Sequence, residues 1–236
     1  MEIQIVLLAI LSSYLIGAIS FSRIVTRMVA PETDFEDAVL RTEQGEELTK
    51  LRGAGATTAS IKLGGRWGCF IGWLDMLKVA MPTLIFRVLY PEIPYFLVAG
   101  VFGMVGHNWP IYYRFKGGAG VSAIYGGLMV IDILGAIVCS FAGLIFGMFI
   151  VKDILVAYMS GIWFLIPWFW LRTRDPAYVA YAVVVNILII LALLPEIRAQ
   201  IRAHREGNVD MQTAMQSFPM GRGMIKIMER FGINKQ

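Results

Sequence analysis

The sequence predicts an all-α membrane protein, a bundle of seven transmembrane helices with its N-terminus outside and its C-terminus cytoplasmic. Three observations lead there. Of 236 residues, 57% are hydrophobic and only 16% are charged, a balance foreign to an ordinary soluble domain. The apolar residues are gathered into blocks that approach the roughly 20 residues needed to cross a bilayer. Lys and Arg are concentrated in alternate connections between those blocks.

The blocks fall at residues 3–22, 67–90, 95–113, 119–133, 134–151, 154–171 and 177–195. Backbone polar groups cannot be left unpaired in lipid, so each block should be helical. The division at residues 133–134 rests on Asp132 and Gly135 as the only hints of a turn, and the alternative is one long helix. With the N-terminus outside, the inside segments hold Arg23, Arg27, Arg41, Lys50, Arg52, Lys62 and Arg66, then Arg114 and Lys116, then Lys152, and the basic residues of the tail. The outside loops hold only Arg172 and Arg174. That asymmetry sets the orientation.

Residues 1–200 form the bundle in this reading, with an acidic cytoplasmic loop over 28–52. There the spacing of Glu46 and Glu47 to Lys50 supports a short helix. Residues 201–236 form a basic cytoplasmic tail, in which methionines alternate with basic residues, as in a helix lying on an anionic leaflet or in a disordered tail. The N-terminus lacks the basic start of a cleavable signal. Cys69 and Cys139 lie within apolar blocks and read as packing residues. The net charge of +4 comes mostly from the inner-face cations and calls for no nucleic-acid partner.

Two glycine-rich segments carry the chemistry. The first is Lys116-Gly117-Gly118-Ala119-Gly120, just before a helical run. Glycines there can expose backbone N–H groups to an anion, and the helix N-terminus adds partial positive charge. Close helix packing explains the same glycines. The second is Arg52-Gly53-Ala54-Gly55-Ala56-Thr57-Thr58, followed by Ser60 and Lys62. Hydroxyls, amides and a two-pronged Arg suit phosphate oxygens, whereas a tight helix start explains the small residues. The charge-derived topology puts both segments on one face. Asp75 and Lys78, spaced i,i+3 inside an apolar block, read as a buried ion pair. His107 reads as a general base or as a hydrogen-bonding partner of a helix end.

The motif Gly106-His107-x-x-Pro110, followed by Phe115-Lys116-Gly117-Gly118-x-Gly120-Val121, resembles the bacterial integral-membrane acyl-phosphate:glycerol-3-phosphate acyltransferases. Leu74-Asp75-x-Leu77-Lys78 and Gly17-x-Ile19-x-Phe21 resemble further elements of that family. The resemblance implies acyl transfer from acyl phosphate to glycerol 3-phosphate, giving lysophosphatidate, without metal or cofactor, at the cytoplasmic face of the cell membrane. The candidate catalytic residues are His107, Thr57 and Thr58. The candidate substrate- and phosphate-binding residues are Arg52, Gly53, Gly55, Lys62, Lys116, Gly117, Gly118 and Gly120. Ala119 stands where that family has a lysine, and the asparagines of the family's other glycine motif are absent. These substitutions support a second reading, a non-catalytic or altered-specificity relative that binds a phosphorylated lipid or headgroup.

Overall fold

The computed structural model describes residues 1–33, 37–41, 47–53, 55–151 and 154–205. The first apolar block begins as α1 (Ile3–Gly17), breaks over Ala18 to Ser20, and resumes as α2 (Phe21–Val29). The acidic loop departs from expectation. Where a short helix was expected, β1 (Asp37–Arg41) and β2 (Glu47–Arg52) pair antiparallel, with Asp37 opposite Arg52 and Arg41 opposite Glu47. An i,i+4 charge pair contributes only about 0.2–0.5 kcal/mol, less than a ladder of backbone bonds between strands. Among the described residues the protein is therefore all-helical apart from one hairpin.

Next come α3 (Ala56–Leu63), α4 (Gly65–Leu89) and α5 (Tyr95–Asn108). The third block was expected to stay helical to residue 113, but α5 stops at Asn108 because Pro110 follows and cannot donate to the ladder. A 3-10 turn, Ile111–Tyr113, takes its place. α6 (Val121–Ile131) then leads to α7 (Ile133–Ile145), which continues in π-helical form through Phe146–Val151. The turn read from Asp132 is present: its side chain caps α7 by accepting the Gly135 amide at 3.0 Å. The sixth block is divided into α8 (Ile154–Trp163) and α9 (Leu165–Arg172), since Pro167 leaves a carbonyl of the preceding turn without its donor. The last helix, α10 (Pro176–Arg205), runs beyond the apolar block into its basic continuation.

Among the described residues, four stretches are long and apolar enough to cross a membrane: Ile3–Val29, Gly65–Leu89, Ile133–Val151 and Pro176–Pro195. α6, with 11 residues, is about 16 Å long against a hydrocarbon core of roughly 30 Å. Two helices, α1 and α7, are inverted relative to those of a soluble protein. α1 buries Ala9, Ser13 and Gly17 and exposes Leu7, Leu8, Leu11 and Leu15. α7 buries Gly135, Ala136, Cys139 and Gly143 and exposes Ile137, Phe141 and Ile145. Small residues inward and large apolar residues outward are what lipid selects, because tight backbone packing rather than apolar burial holds helices together there.

Close approach is visible along the α1–α5 contact. A Cβ on Gly106 would meet the Tyr14 carbonyl, and one on Gly17 would meet the Gly103 carbonyl. The obstructing atoms are backbone and cannot rotate away. Gly106→Val should therefore cost more than the roughly 1–3 kcal/mol of ordinary overpacking. A thermal melt in detergent should show a lowered midpoint, and an unchanged midpoint would refute the contact.

Candidate functional site

The site is assembled where the break in the first block meets α4, the end of α5 and the glycine loop. The i,i+3 spacing on α4 brings Lys78 Nζ to 2.8 Å from Asp75 Oδ1, as expected from the sequence, with both side chains buried. The ammonium also donates to the Ile19 carbonyl at 2.6 Å, in the gap between α1 and α2. From the last turn of α5, buried His107 places Nδ1 3.6 Å from the same Asp75 oxygen. These residues line a small recess with Ala18, Ser20, Pro110 and Gly117.

The loop after α5 is tightly folded. Arg114 and Phe115 both have positive φ, 52° and 59°, and the Phe115 amide donates to the Pro110 carbonyl at 3.0 Å. The chain is thereby turned back onto α5. Gly117 lies on the His107 and Asn108 carbonyls, and Gly118 donates its amide to the His107 carbonyl at 3.3 Å. Gly120, at φ 86°, starts α6 with the Asn108 side chain where a Cβ would stand. Arg23 on α2 ties the loop down by donating to the Lys116 carbonyl at 2.8 Å, with its guanidinium 4.5 Å from the Tyr113 ring centre. Lys116 itself is exposed.

The two glycine-rich segments meet backbone to backbone. Gly53 has φ 116°, and a Cβ there would strike the Gly117 carbonyl; one on Gly55 would stand 3.6 Å from Gly118 Cα. The structure thus brings together Gly53, Gly55, His107, Gly117, Gly118 and Gly120. Packing accounts for the glycines at 53, 117, 118 and 120, and the Gly118 amide is already engaged, so it is not a free donor for an anion. Thr58 also differs from expectation. It is buried and donates its hydroxyl to the Gly53 carbonyl at 2.7 Å, so it shapes the loop. Thr57 is exposed and Lys62 lies in the last turn of α3. Arg52 ends β2 next to Gly53, and its side chain is outside the described residues. Ser160 is buried and donates to the Gly143 carbonyl at 2.8 Å in the α7–α8 contact.

Sequence reading missed Arg23, Asn108 and the Ile19 carbonyl. The N-terminus of α6 has no side-chain cap, and Asn108 beside it is buried with neither amide atom hydrogen-bonded. A buried amide without partners next to an uncapped helix start is a place for a polar ligand. That feature, which sequence spacing does not expose, survives after packing has explained the glycines.

A helical bundle with an apolar outer face and a polar, backbone-walled site at one end defines an integral membrane protein that handles a polar substrate. A family model for glycerol-3-phosphate acyltransferase matches residues 7–207. Similar proteins include the glycerol-3-phosphate acyltransferase of Mycoplasma mycoides subsp. mycoides, 30% identical over 187 residues, covering 70% of this chain and 67% of the relative. That of Mycoplasma mobile is 32% identical over 190 residues, covering 75% and 72%. The fold matches crystal structures of PlsY (YgiH), an integral membrane glycerol 3-phosphate acyltransferase, in lysophosphatidic acid and glycerol 3-phosphate forms. Their TM-scores are 0.67 and 0.66 at 22% identity, covering 87% of this chain and 94% of those chains. The chain belongs to the glycerol-3-phosphate acyltransferase family.

The buried pair gives a test of what holds the site. Asp75→Ala strands the Lys78 charge and should cost roughly 3–5 kcal/mol, whereas replacing both residues with apolar ones of similar volume should cost less. Folded yield and melting midpoint should therefore fall further in the single variant. Equal losses would mean that Asp75 acts apart from Lys78.

Proposed function

We propose that this chain transfers an acyl group from an acyl phosphate to glycerol 3-phosphate, forming lysophosphatidate in phospholipid synthesis. The observation that carries this reading is the uncapped N-terminus of α6 beside the unpartnered Asn108 amide, at the junction of the two glycine-rich segments. An acyl phosphate is already activated, so positioning and charge stabilisation are the main demands on the protein. The glycerol oxygen bonds to the acyl carbon as the carbon–oxygen bond to phosphate breaks, and phosphate leaves with the electron pair. The hydroxyl proton passes to His107 or to a phosphate oxygen. Lys116, the Gly117 and Gly120 amides, Arg52 and Lys62 are the proposed phosphate contacts, while Gly53, Gly55, Gly118 and Thr58 shape the walls. Thr57, exposed on α3, remains a candidate contact.

In this reading the chain spans the cell membrane seven times, with the site facing the cytoplasm. Besides the Lys/Arg asymmetry, the arrangement of contacts supports it. Segments expected outside meet one another: Tyr95 accepts the Glu2 amide at 2.7 Å, Arg87 donates to the Ile131 carbonyl at 3.2 Å, and Asp132 accepts from Trp168 Nε1 at 2.9 Å and pairs with Arg172 at 3.1 Å. Segments expected inside meet at the glycine loops.

Ala119 favours the second reading, a binder without transferase activity, because its small side chain packs against the apolar core where the resembling family has a lysine. Purified protein given palmitoyl phosphate and glycerol 3-phosphate should release inorganic phosphate. Lys116→Ala should lower kcat/KM by roughly 10- to 100-fold, the worth of one charge-assisted hydrogen bond. Binding of glycerol 3-phosphate without phosphate release would favour the binder. Absence of both would defeat the two readings together.

Orientation is checked separately. In a variant lacking Cys69 and Cys139, a cysteine at position 116 should resist a membrane-impermeant thiol reagent in intact cells, and one at position 173 should react. The reverse pattern would move the site to the outer face.

A further inference from the structure

The His107 ring lies between a carboxylate and the glycine loop. Nδ1 is enclosed and has no hydrogen-bond partner, and Asp75 Oδ1 lies 3.6 Å away. That oxygen cannot turn aside freely, because Lys78 holds it at 2.8 Å and is itself held by the Ile19 carbonyl at 2.6 Å. On the other edge of the ring, Nε2 faces the loop: a Cβ on Gly118 would stand 2.6 Å from it. The recess bounded by Ala18, Ser20, Pro110 and Gly117 opens on the same ring.

A neutral imidazole carries its proton on one nitrogen and a lone pair on the other, and the partner of one nitrogen decides the state of both. A bare Nδ1 would aim its lone pair at a buried carboxylate, setting acceptor against acceptor. A protonated Nδ1 aims an N–H at that carboxylate, and a small ring rotation closes the gap to hydrogen-bond length. We infer that Asp75, itself fixed by Lys78, holds His107 in the Nδ1–H tautomer, so that its bare Nε2 accepts a hydrogen bond from a substrate hydroxyl at the glycine loop. Asp75 is then a positioning residue acting through His107. The assignment also divides the substrate between parts of the site. A bare nitrogen attracts a hydroxyl proton and repels phosphate oxygens, so the ring receives the polyol end and the α6 start and the cations receive the phosphate. This inference rests on the reading that His107 belongs to the acyl-transfer site.

The chain has two histidines, so His204→Gln leaves His107 as the only one for ¹⁵N ring spectroscopy in micelles. The expected spectrum has a protonated Nδ1 and a bare Nε2. Adding Asp75→Asn with Lys78→Met, which removes both charges and strands neither, should shift the ring towards the Nε2–H form. Made in the otherwise unaltered chain, the same pair should lower kcat roughly tenfold or more with little change in the KM for glycerol 3-phosphate. An Nε2–H ring in the starting protein, or a tautomer indifferent to the Asp75 and Lys78 changes, would overturn the inference. His107→Gln separates the two readings. Full activity in that variant overturns the hydroxyl contact even if Asp75 still orients the ring. Inactivity of His107→Gln, together with a His107 tautomer that ignores the Asp75 and Lys78 changes, leaves His107 in the site and removes Asp75 from it.

Discussion

Lys78 is a charged group placed where lipid-embedded helices tolerate charge poorly, at roughly 2.5–3.5 kcal/mol for a helix-centre residue on insertion scales. The break between α1 and α2 carries a complementary liability, the Ile19 carbonyl, for which no continuing helix supplies a donor. A buried carbonyl without a donor and a buried ammonium without enough acceptors are each unfavourable. Brought together at 2.6 Å, with Asp75 at 2.8 Å neutralising the charge, they satisfy one another. The consequences spread outward. Fixing Ile19 fixes the start of α2, α2 carries Arg23, and Arg23 holds the Lys116 carbonyl at the head of the glycine loop. The buried pair therefore does more than tolerate an unusual helix; it sets where the loop lies.

The second constraint is close approach. Without a hydrophobic force between helices in lipid, attraction must come from atoms in contact, and the closest contacts need residues without side chains. Gly126 against the Met76 carbonyl, Gly143 against Gly161 and Gly117 against the His107 carbonyl repeat the same solution in three places. At the site this has a chemical result. The walls are mainly backbone, so the groups offered to a substrate are amides and a helix start, supplemented by a few side chains. Such a surface suits an activated donor that requires placement more than it requires a strong base or nucleophile.

The parts of this arrangement that could be read from the sequence are those governed by local spacing. Asp75 and Lys78 pair because i and i+3 share a helix face, and Asp132 marks a turn because a carboxylate caps the amide three residues on. The meeting of the two glycine segments also followed, through charge counting that put both on one face. The rest depends on partners distant in sequence. Nothing in Ile16-Gly17-Ala18-Ile19-Ser20 interrupts the apolar run strongly, and the acceptor role of Ile19 needs Lys78, 59 residues away. Arg23 looked like one inner-face cation among many until the loop at Lys116 folded back against it. Thr58 looked like a phosphate ligand because a hydroxyl beside glycines often is, but the positive φ at Gly53 turns that carbonyl towards it. In the acidic loop, charge spacing suggested a helix, while pairing between residues six to fifteen apart produced a hairpin.

The two ends of the bundle differ in how completely their polar groups are satisfied, and that difference separates support from chemistry. At one end Asp132 caps an amide, accepts from an indole and pairs with a guanidinium, so its oxygens are fully used. Asn186, buried within the bundle, donates its amide nitrogen to the Ile162 and Ala182 carbonyls at 2.9 and 2.8 Å, and only its Oδ1 lacks a partner. Asn108 has the same side chain and similar burial, yet neither of its polar atoms has a partner, and His107 beside it is short of one at Nδ1. Folded proteins rarely leave such groups unpaired, because each costs about 1–3 kcal/mol. Of the seven such atoms among the described residues, three fall in consecutive residues at the end of α5, facing the glycine loop and the uncapped start of α6. Ser13, Thr26, Tyr181 and Asn186 each leave one such atom, whereas Asn108 leaves both, as a residue that receives a substrate must keep its hydrogen-bonding capacity unspent until the substrate arrives.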